Sequence, residues 1–159
     1  MAQGLKMSDF NENGRGILNS IFSEYGLKPV IANSYSPLSL AYIGDSVYGL
    51  VVKSVVTLKG NCPANQLNKM TTNYVKAVSQ AKIADYYTSN DILSEEEANI
   101  MRRGRNAKSA TTAKNASVSE YRAATGLEAL MGYLYLKGET DRMTELIRAG
   151  MDFIDSVKK

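Results

Sequence analysis

The chain reads as an all-helical domain on three features of its sequence. Apolar residues recur at three- and four-residue spacing over long stretches, which lines them along one side of an α-helix. Capping residues stand before those stretches, twice as a Ser-x-x-Glu box in which the two side chains satisfy each other's backbone N–H groups. Strictly alternating runs, the mark of half-buried strands, are few.

Taken in order, residues 1–14 are polar and rich in Gly and Asn and read as a flexible leader, with one domain over 15–159. A short helix is expected over 17–25. Ser36 is placed to cap the next helix and Pro37 to occupy its first position, and the apolar pattern carries that helix to about 58. Gly60, Asn61 and Pro63 then interrupt the chain before a helical stretch over 63–87, with a break expected at the Thr71-Thr72 pair. Ser94 with Glu97 opens a helix reaching about 103, and Ser117 with Glu120 opens one reaching about 136. A final amphipathic helix covers 140–157. No internal repeat or low-complexity segment is visible.

Composition narrows the chemistry. The 159 residues suit a single domain, and 44% hydrophobic with 22% charged is ordinary globular composition. The single cysteine, Cys62, precedes Pro63 at a helix start and has no partner for a disulfide or a CxxC pair. No secretory signal and no bilayer-length apolar run stands out, which predicts a cytoplasmic protein without a membrane. Histidine is absent, and with it go Ser-His-Asp and Cys-His catalysis and most zinc sites. Carboxylates with a hard metal ion are the chemistry left open.

The net charge of +3 is unevenly spread. Arg102, Arg103, Arg105, Lys108 and Lys114 fall in one segment, and no acidic residue lies between Glu97 and Glu120. Setting those five aside leaves 14 of the 19 basic residues against 16 acidic ones, so the basic excess lives in one place.

Two carboxylates stand where charge is costly. In the helix after Ser36, the residues Leu40, Ile43, Gly44, Val47, Val51, Val55 and Leu58 share one side, and Asp45 sits at the edge of that stripe between Ala41 and Val52. From Ala123 to Leu136 the only polar residues apart from tyrosine are Thr125 and Glu128, so this helix should be buried nearly all round, with Glu128 inside it. Gly132, Ala124 and Thr125 share the side of Glu128 and are small enough to admit another helix. Each acid could instead be paired with a lysine or arginine, and Asp45 could simply face water.

Local strings then become specific. Leu40-Ala41-Tyr42-Ile43-Gly44-Asp45-Ser46-Val47-Tyr48 resembles the signature helix of the ribonuclease III superfamily, in which a Gly-Asp pair carries a metal ligand. Glu128-Ala129-Leu130-Met131-Gly132-Tyr133-Leu134-Tyr135-Leu136 is similar to that superfamily's second catalytic helix, and Arg103-Gly104-Arg105-Asn106-Ala107-Lys108 resembles a segment of its Mini-III branch. The chain ends about twenty residues after the second catalytic helix. That leads us to expect the catalytic domain without a separate double-stranded-RNA-binding domain. Ala41 and Thr125 stand where fuller members carry acids, a reduced set that resembles Mini-III. Gly49 stands where relatives often have an acid, and a glycine there leaves room for a close contact with a partner that the sequence does not identify.

The resemblance implies an all-α, dimeric ribonuclease III-type domain in which Asp45 and Glu128 hold Mg2+ and cut double-stranded RNA, leaving a 5′-phosphate and a 3′-hydroxyl. Its implied substrate is the precursor of large-subunit (23S) ribosomal RNA, with a large-subunit ribosomal protein or pre-ribosome as a further partner. One ion per site, with a second recruited by RNA phosphates, is the expectation. The basic segment, read as a loop, supplies the RNA contacts: Arg102, Arg103, Arg105, Asn106, Lys108, Thr111 and Lys114, extended by Arg122. It lacks aromatic residues for base stacking, which suits recognition of duplex phosphates rather than bases. Two cuts on opposite strands call for a two-fold homodimer, with the helix of Val47, Val51 and Val55 as one candidate surface. A catalytically silent RNA-binding protein of the same fold would keep the basic segment without needing both acids, and an unrelated helical hydrolase would need the acids alone.

Overall fold

The computed structural model describes residues 16–108 and 117–158, and among these there are seven α-helices and no strand. They are α1 (Gly16–Tyr25), α2 (Pro37–Lys59), α3 (Ala64–Val75), α4 (Ala77–Ser89), α5 (Glu95–Asn106), α6 (Val118–Lys137) and α7 (Thr140–Val157), with a single 3-10 turn at Ala32–Ser34 before α2. The expected leader and the candidate RNA contacts Thr111 and Lys114 lie outside the described residues.

Local chemistry places the helix starts where the sequence put them. Ser36 Oγ accepts from Ser39 N at 3.2 Å with Pro37 at the first position. Both capping boxes close: Ser94 Oγ accepts from Glu97 N at 3.1 Å while Ser94 N donates to Glu97 Oε1 at 2.8 Å, and Ser117 and Glu120 repeat the exchange at 3.1 and 3.0 Å. Helix α6 stops at Gly138, whose φ of 81° lies in the left-handed region that glycine adopts without penalty.

The break between α3 and α4 differs from the expected one. The stretch over 63–87 breaks at Lys76, where ψ is 150°, and not at Thr71-Thr72. Each threonine hydroxyl donates to the carbonyl four residues back, Leu67 and Asn68, so both remain inside α3. The corner is held instead by Ser79, whose hydroxyl donates to Asn73 O at 2.6 Å.

Helix α6 is the axis of the fold, packed against α2, α4, α5 and α7. That enclosure explains its lack of a polar face: Leu127, Ala129, Leu130, Met131 and Leu134 are all fully buried. Length and composition alone would let α2 cross a membrane, contrary to the expectation of no such stretch, yet in the fold it is a wall of the core. Its buried side is Leu40, Ala41, Gly44, Val47, Tyr48, Val52 and Val56. The stripe read from the sequence was therefore turned by about one position: Ile43, Val51 and Val55 pack at its margin, and Leu58 is 85% exposed. Tyr48, which a simple apolar pattern passes over, is buried because its hydroxyl donates to Tyr74 O at 2.7 Å.

The α5–α7 junction rests on one buried ion pair. Glu97 is 5% exposed and accepts from Arg142 Nη2 at 2.9 Å and Nε at 3.0 Å. Burial pushes its carboxyl up, but the bonds from Arg142 and Ser94 outweigh this and hold it below its ordinary value. Glu97→Gln should cost about 2 kcal/mol, discounted because Arg142 keeps partial contact with water, and is read from the urea midpoint. A lowered carboxylate pKa stabilises the fold above the unfolded value and is lost as pH falls, so parent and variant should converge in acid.

Gly49, by contrast, has nothing among the described residues within 4 Å of a Cβ built there, so the room it leaves is not used by any described contact. Gly49→Ala should raise stability by about 0.5–1 kcal/mol by removing a mid-helix glycine. A loss instead would mean that a second chain approaches at this point.

A candidate active site at the crossing of α2 and α6

Glycines decide how closely the two acid-bearing helices meet. A Cβ on Gly44 would stand 1.7 Å from the backbone oxygen of Glu128 and 2.7 Å from Gly132 N. A Cβ on Gly132 would stand 1.9 Å from Leu40 O and 3.0 Å from Ile43 Cγ2. The helices thus touch backbone to backbone. Because Gly44 precedes Asp45 and itself touches the Glu128 backbone, this contact brings the two carboxylates within electrostatic reach of each other.

Their surroundings differ. Asp45 is exposed, whereas Glu128 is half-buried. Burial first, then the neighbouring Asp45 charge, pushes the Glu128 carboxyl up to about 8. Among the described residues the ion pairs are those of Lys137 with Glu96 and Glu139, Arg142 with Glu97 and Glu145, and Arg148 with Asp152. None reaches Asp45 or Glu128, so within that set neither acid is neutralised by a lysine or arginine. Two converging acids without a counter-charge form an all-oxygen donor set that a hard divalent cation would stabilise.

The site is a small one. Among the described residues no group of three or more Asp, Glu, Cys or His stands together as a metal cluster. Ala41, one turn before Asp45, is 6% exposed and apolar, and the Thr125 hydroxyl donates to Tyr121 O at 3.1 Å. Neither adds a charge.

Of the basic residues, Arg102 and Arg103 lie in α5 within its expected length, and Arg105 and Asn106 extend its last turn past the expected end near 103 instead of opening a loop. The packing of Met101 and Gly104 against Gly126 and Ala129 of α6 carries the helix past that local composition. Arg102, Arg105, Asn106, Lys108 and Arg122 are exposed. Arg102 donates to Asn99 Oδ1 at 2.7 Å, and the half-buried Arg103 reaches Asn33 O at 3.4 Å, so Arg103 also ties α5 to the 3-10 turn.

A second glycine contact seats α5 on α6. A Cβ on Gly104 would meet Ala129 Cβ at 2.8 Å and Gly126 Cα at 2.9 Å, and one on Gly126 would meet Met101 O at 2.6 Å. Sequence reasoning missed this pair. The available signal was a glycine in the interior of each helix, which costs about 1 kcal/mol unless something needs the space, although Gly49 shows the same signal misleading.

Comparison with known proteins agrees with the geometry. The Ribonuclease III domain family matches residues 38–139, a span holding both glycine crossings. Mini-ribonuclease 3 of Thermoanaerobacter sp. (strain X514) is 49% identical over 123 residues, covering 77% of this chain and 84% of that protein. Mini-ribonuclease 3 of Enterococcus faecalis is 46% identical over 110 residues, 69% of this chain and 83% of its own. A crystal structure of a Fusobacterium nucleatum protein superimposes with a TM-score of 0.66 at 30% identity, covering 74% of this chain and 93% of that one. With the domain matched across both acid-bearing helices and relatives this similar over most of their own length, the chain belongs to the Mini-ribonuclease 3 branch of the ribonuclease III superfamily and is an endoribonuclease.

Proposed function

We propose that this endoribonuclease cuts double-stranded RNA with Mg2+ held by Asp45 and Glu128. The observation that carries this is the pair of acids beside the Gly44–Gly132 contact, neither of them ion-paired to a lysine or arginine among the described residues. Magnesium bound there would polarise the scissile phosphate and make a bound water acidic enough to attack it, giving 5′-phosphate and 3′-hydroxyl ends. The protein's own contribution is placement. Asp45 stands at the surface where substrate arrives, and Glu128 is held behind it by a rigid, enclosed helix. With two charged ligands, one tightly held ion per site is expected.

Arg102, Arg105 and Lys108, with Arg122 on the first turns of α6, form the phosphate-binding strip, supported by Arg103 and Asn106. Changing Arg102, Arg105 and Lys108 to alanine should weaken duplex binding and flatten its dependence on log salt by roughly one unit per cation removed. An unchanged slope would place the RNA elsewhere.

Cutting both strands requires two sites, and a two-fold homodimer supplies them. The face of α2 that no other described element covers exposes Leu38, Tyr42 and Leu50 on the helix that carries Asp45, and it is the surface we assign to the second copy, in place of the partly buried Val51 and Val55. The large-subunit (23S) ribosomal RNA precursor is the proposed substrate, met in the cytoplasm on a pre-ribosome whose large-subunit proteins could assist.

The test is direct. Duplex and single-stranded RNA of one sequence are incubated with the protein, with Mg2+ or with a chelator. Cutting of the duplex alone, and only with Mg2+, is expected. A shift of the RNA without cutting would overturn the reading, as would cutting that survives the chelator.

A further inference from the structure

Helix α6 has its two glycine contacts on either side of Glu128, Gly126 two residues before it and Gly132 four residues after. The second contact brings in Asp45. The first brings in the basic end of α5, and does so through main chain: Gly126 stands where a Cβ would lie 3.3 Å from Arg105 N. Met101 and Gly104 face α6, while Arg102, Arg105 and Asn106 are exposed. Two residues along a helix are about 3 Å of axial rise. The path from Arg105 to Glu128 to Asp45 therefore runs through backbone contacts and fully buried helix, with no flexible side chain as a link.

Duplex RNA is itself stiff and its phosphates regularly spaced. A protein that grips some phosphates and cuts at another must fix the reach between grip and cut. We propose that Gly104 and Gly126 are positioning residues for cleavage: their backbone-to-backbone crossing fixes the reach from the arginines of α5 to the carboxylate pair, and so selects which phosphate is cut. This rests on the arginines binding RNA. An added Cβ at Gly104 meets Ala129 Cβ and Gly126 Cα, neither of which can rotate away, so α5 must lift. A displacement near 1 Å at a reacting centre can cost on the order of 100-fold in rate.

The experiment compares three changes on a duplex of defined sequence, reading kcat, KM, cut position and Tm. Gly104→Ala should lower kcat on the order of 10- to 100-fold with KM within about threefold, and should shift or blur the cut position. Gly150→Ala is the control for mere destabilisation. Its Cβ would meet Ile83 Cγ2 at 2.7 Å, a comparably tight contact between α7 and α4 away from the path described. It should lower Tm but leave kcat and cut position as in the parent. Arg102→Ala with Arg105→Ala should raise KM; an unchanged KM there refutes the RNA-binding reading itself. If that pair does raise KM while Gly104→Ala leaves both kcat and cut position unchanged, the positioning proposal alone falls. It falls equally if Gly150→Ala reproduces the Gly104→Ala effects. Should Gly104→Ala fail to fold, the same readings are taken with Ala129→Gly added, which removes the nearest obstructing atom; parental kcat and cut position in that variant, at a restored Tm, support the proposal, and a kcat that stays low with unaltered cuts overturns it.

Discussion

Glu128→Gln should abolish duplex cleavage and, in the same protein, raise its melting temperature. The loss follows from the site's economy: with two charged ligands, removing one leaves a metal site held by a single carboxylate, and a metal's contribution of several kcal/mol corresponds to on the order of 1000-fold in rate. The gain has a different cause. The Glu128 carboxyl is half-buried beside Asp45 with no described cation to offset it, so its charge is a cost to the folded state that a neutral amide of the same shape removes. About 1 kcal/mol is expected, or roughly 2–4 °C in Tm for a chain of this size, measured without divalent metal. Asp45→Asn should lose activity equally but move Tm less, since Asp45 faces water. Cleavage that persists in both variants would remove this pair from the chemistry.

Gly44→Ala is expected to be the most destabilising single substitution that adds only a methyl group. The new Cβ would sit 1.7 Å from the Glu128 backbone oxygen, an overlap no rotamer change can relieve because the obstacle is main chain inside α6. The helices would have to part, opening the interface that buries Leu40, Val47 and Leu127. On the order of 3–5 kcal/mol should be lost, visible as a Tm fall of about 10 °C or more. Gly132→Ala, whose Cβ would sit 1.9 Å from Leu40 O, should behave alike. The same separation would draw Asp45 from Glu128, so any folded fraction should bind RNA without cutting it. A Gly44→Ala protein melting within a few degrees of the parent would show that the helices do not meet this closely.

Much of this molecule is local chemistry and was legible as such. The starts of α2, α5, α6 and α7 follow from Ser36-Pro37, the two Ser-x-x-Glu boxes and an amphipathic period, all of which act within a few residues. The enclosure of α6 was legible too, because a helix without a polar face has to be surrounded. Glu128 stood out there as the one acid in the apolar stretch from Ala123 to Leu136. Asp45 stood out mainly through the Gly-Asp resemblance, and its exposure corrects the reading that placed its charge where burial makes it costly.

What was not legible is what depends on partners distant in sequence. The buried side of α2 turned toward Tyr48 because Tyr74 O, 26 residues on, accepts its hydroxyl bond. The place of Arg105 and Asn106 in α5 depends on the seat of Met101 and Gly104 against α6, while the break at Lys76, whose corner bond from Ser79 to Asn73 spans six residues, carried no turn residue to mark it. The glycines show the division most sharply. Gly44, Gly49, Gly104, Gly126 and Gly132 all sit inside helices, and by sequence alone each is the same mid-helix penalty. Four of them are crossings where a methyl group cannot fit, and Gly49 faces empty space. Sequence by itself determined that this chain makes helices, encloses one of them and carries two exceptional acids. Only the tertiary structure decided that those acids meet, because their meeting depends on the distance between two backbones, and that distance belongs to a pair of helices and not to either sequence.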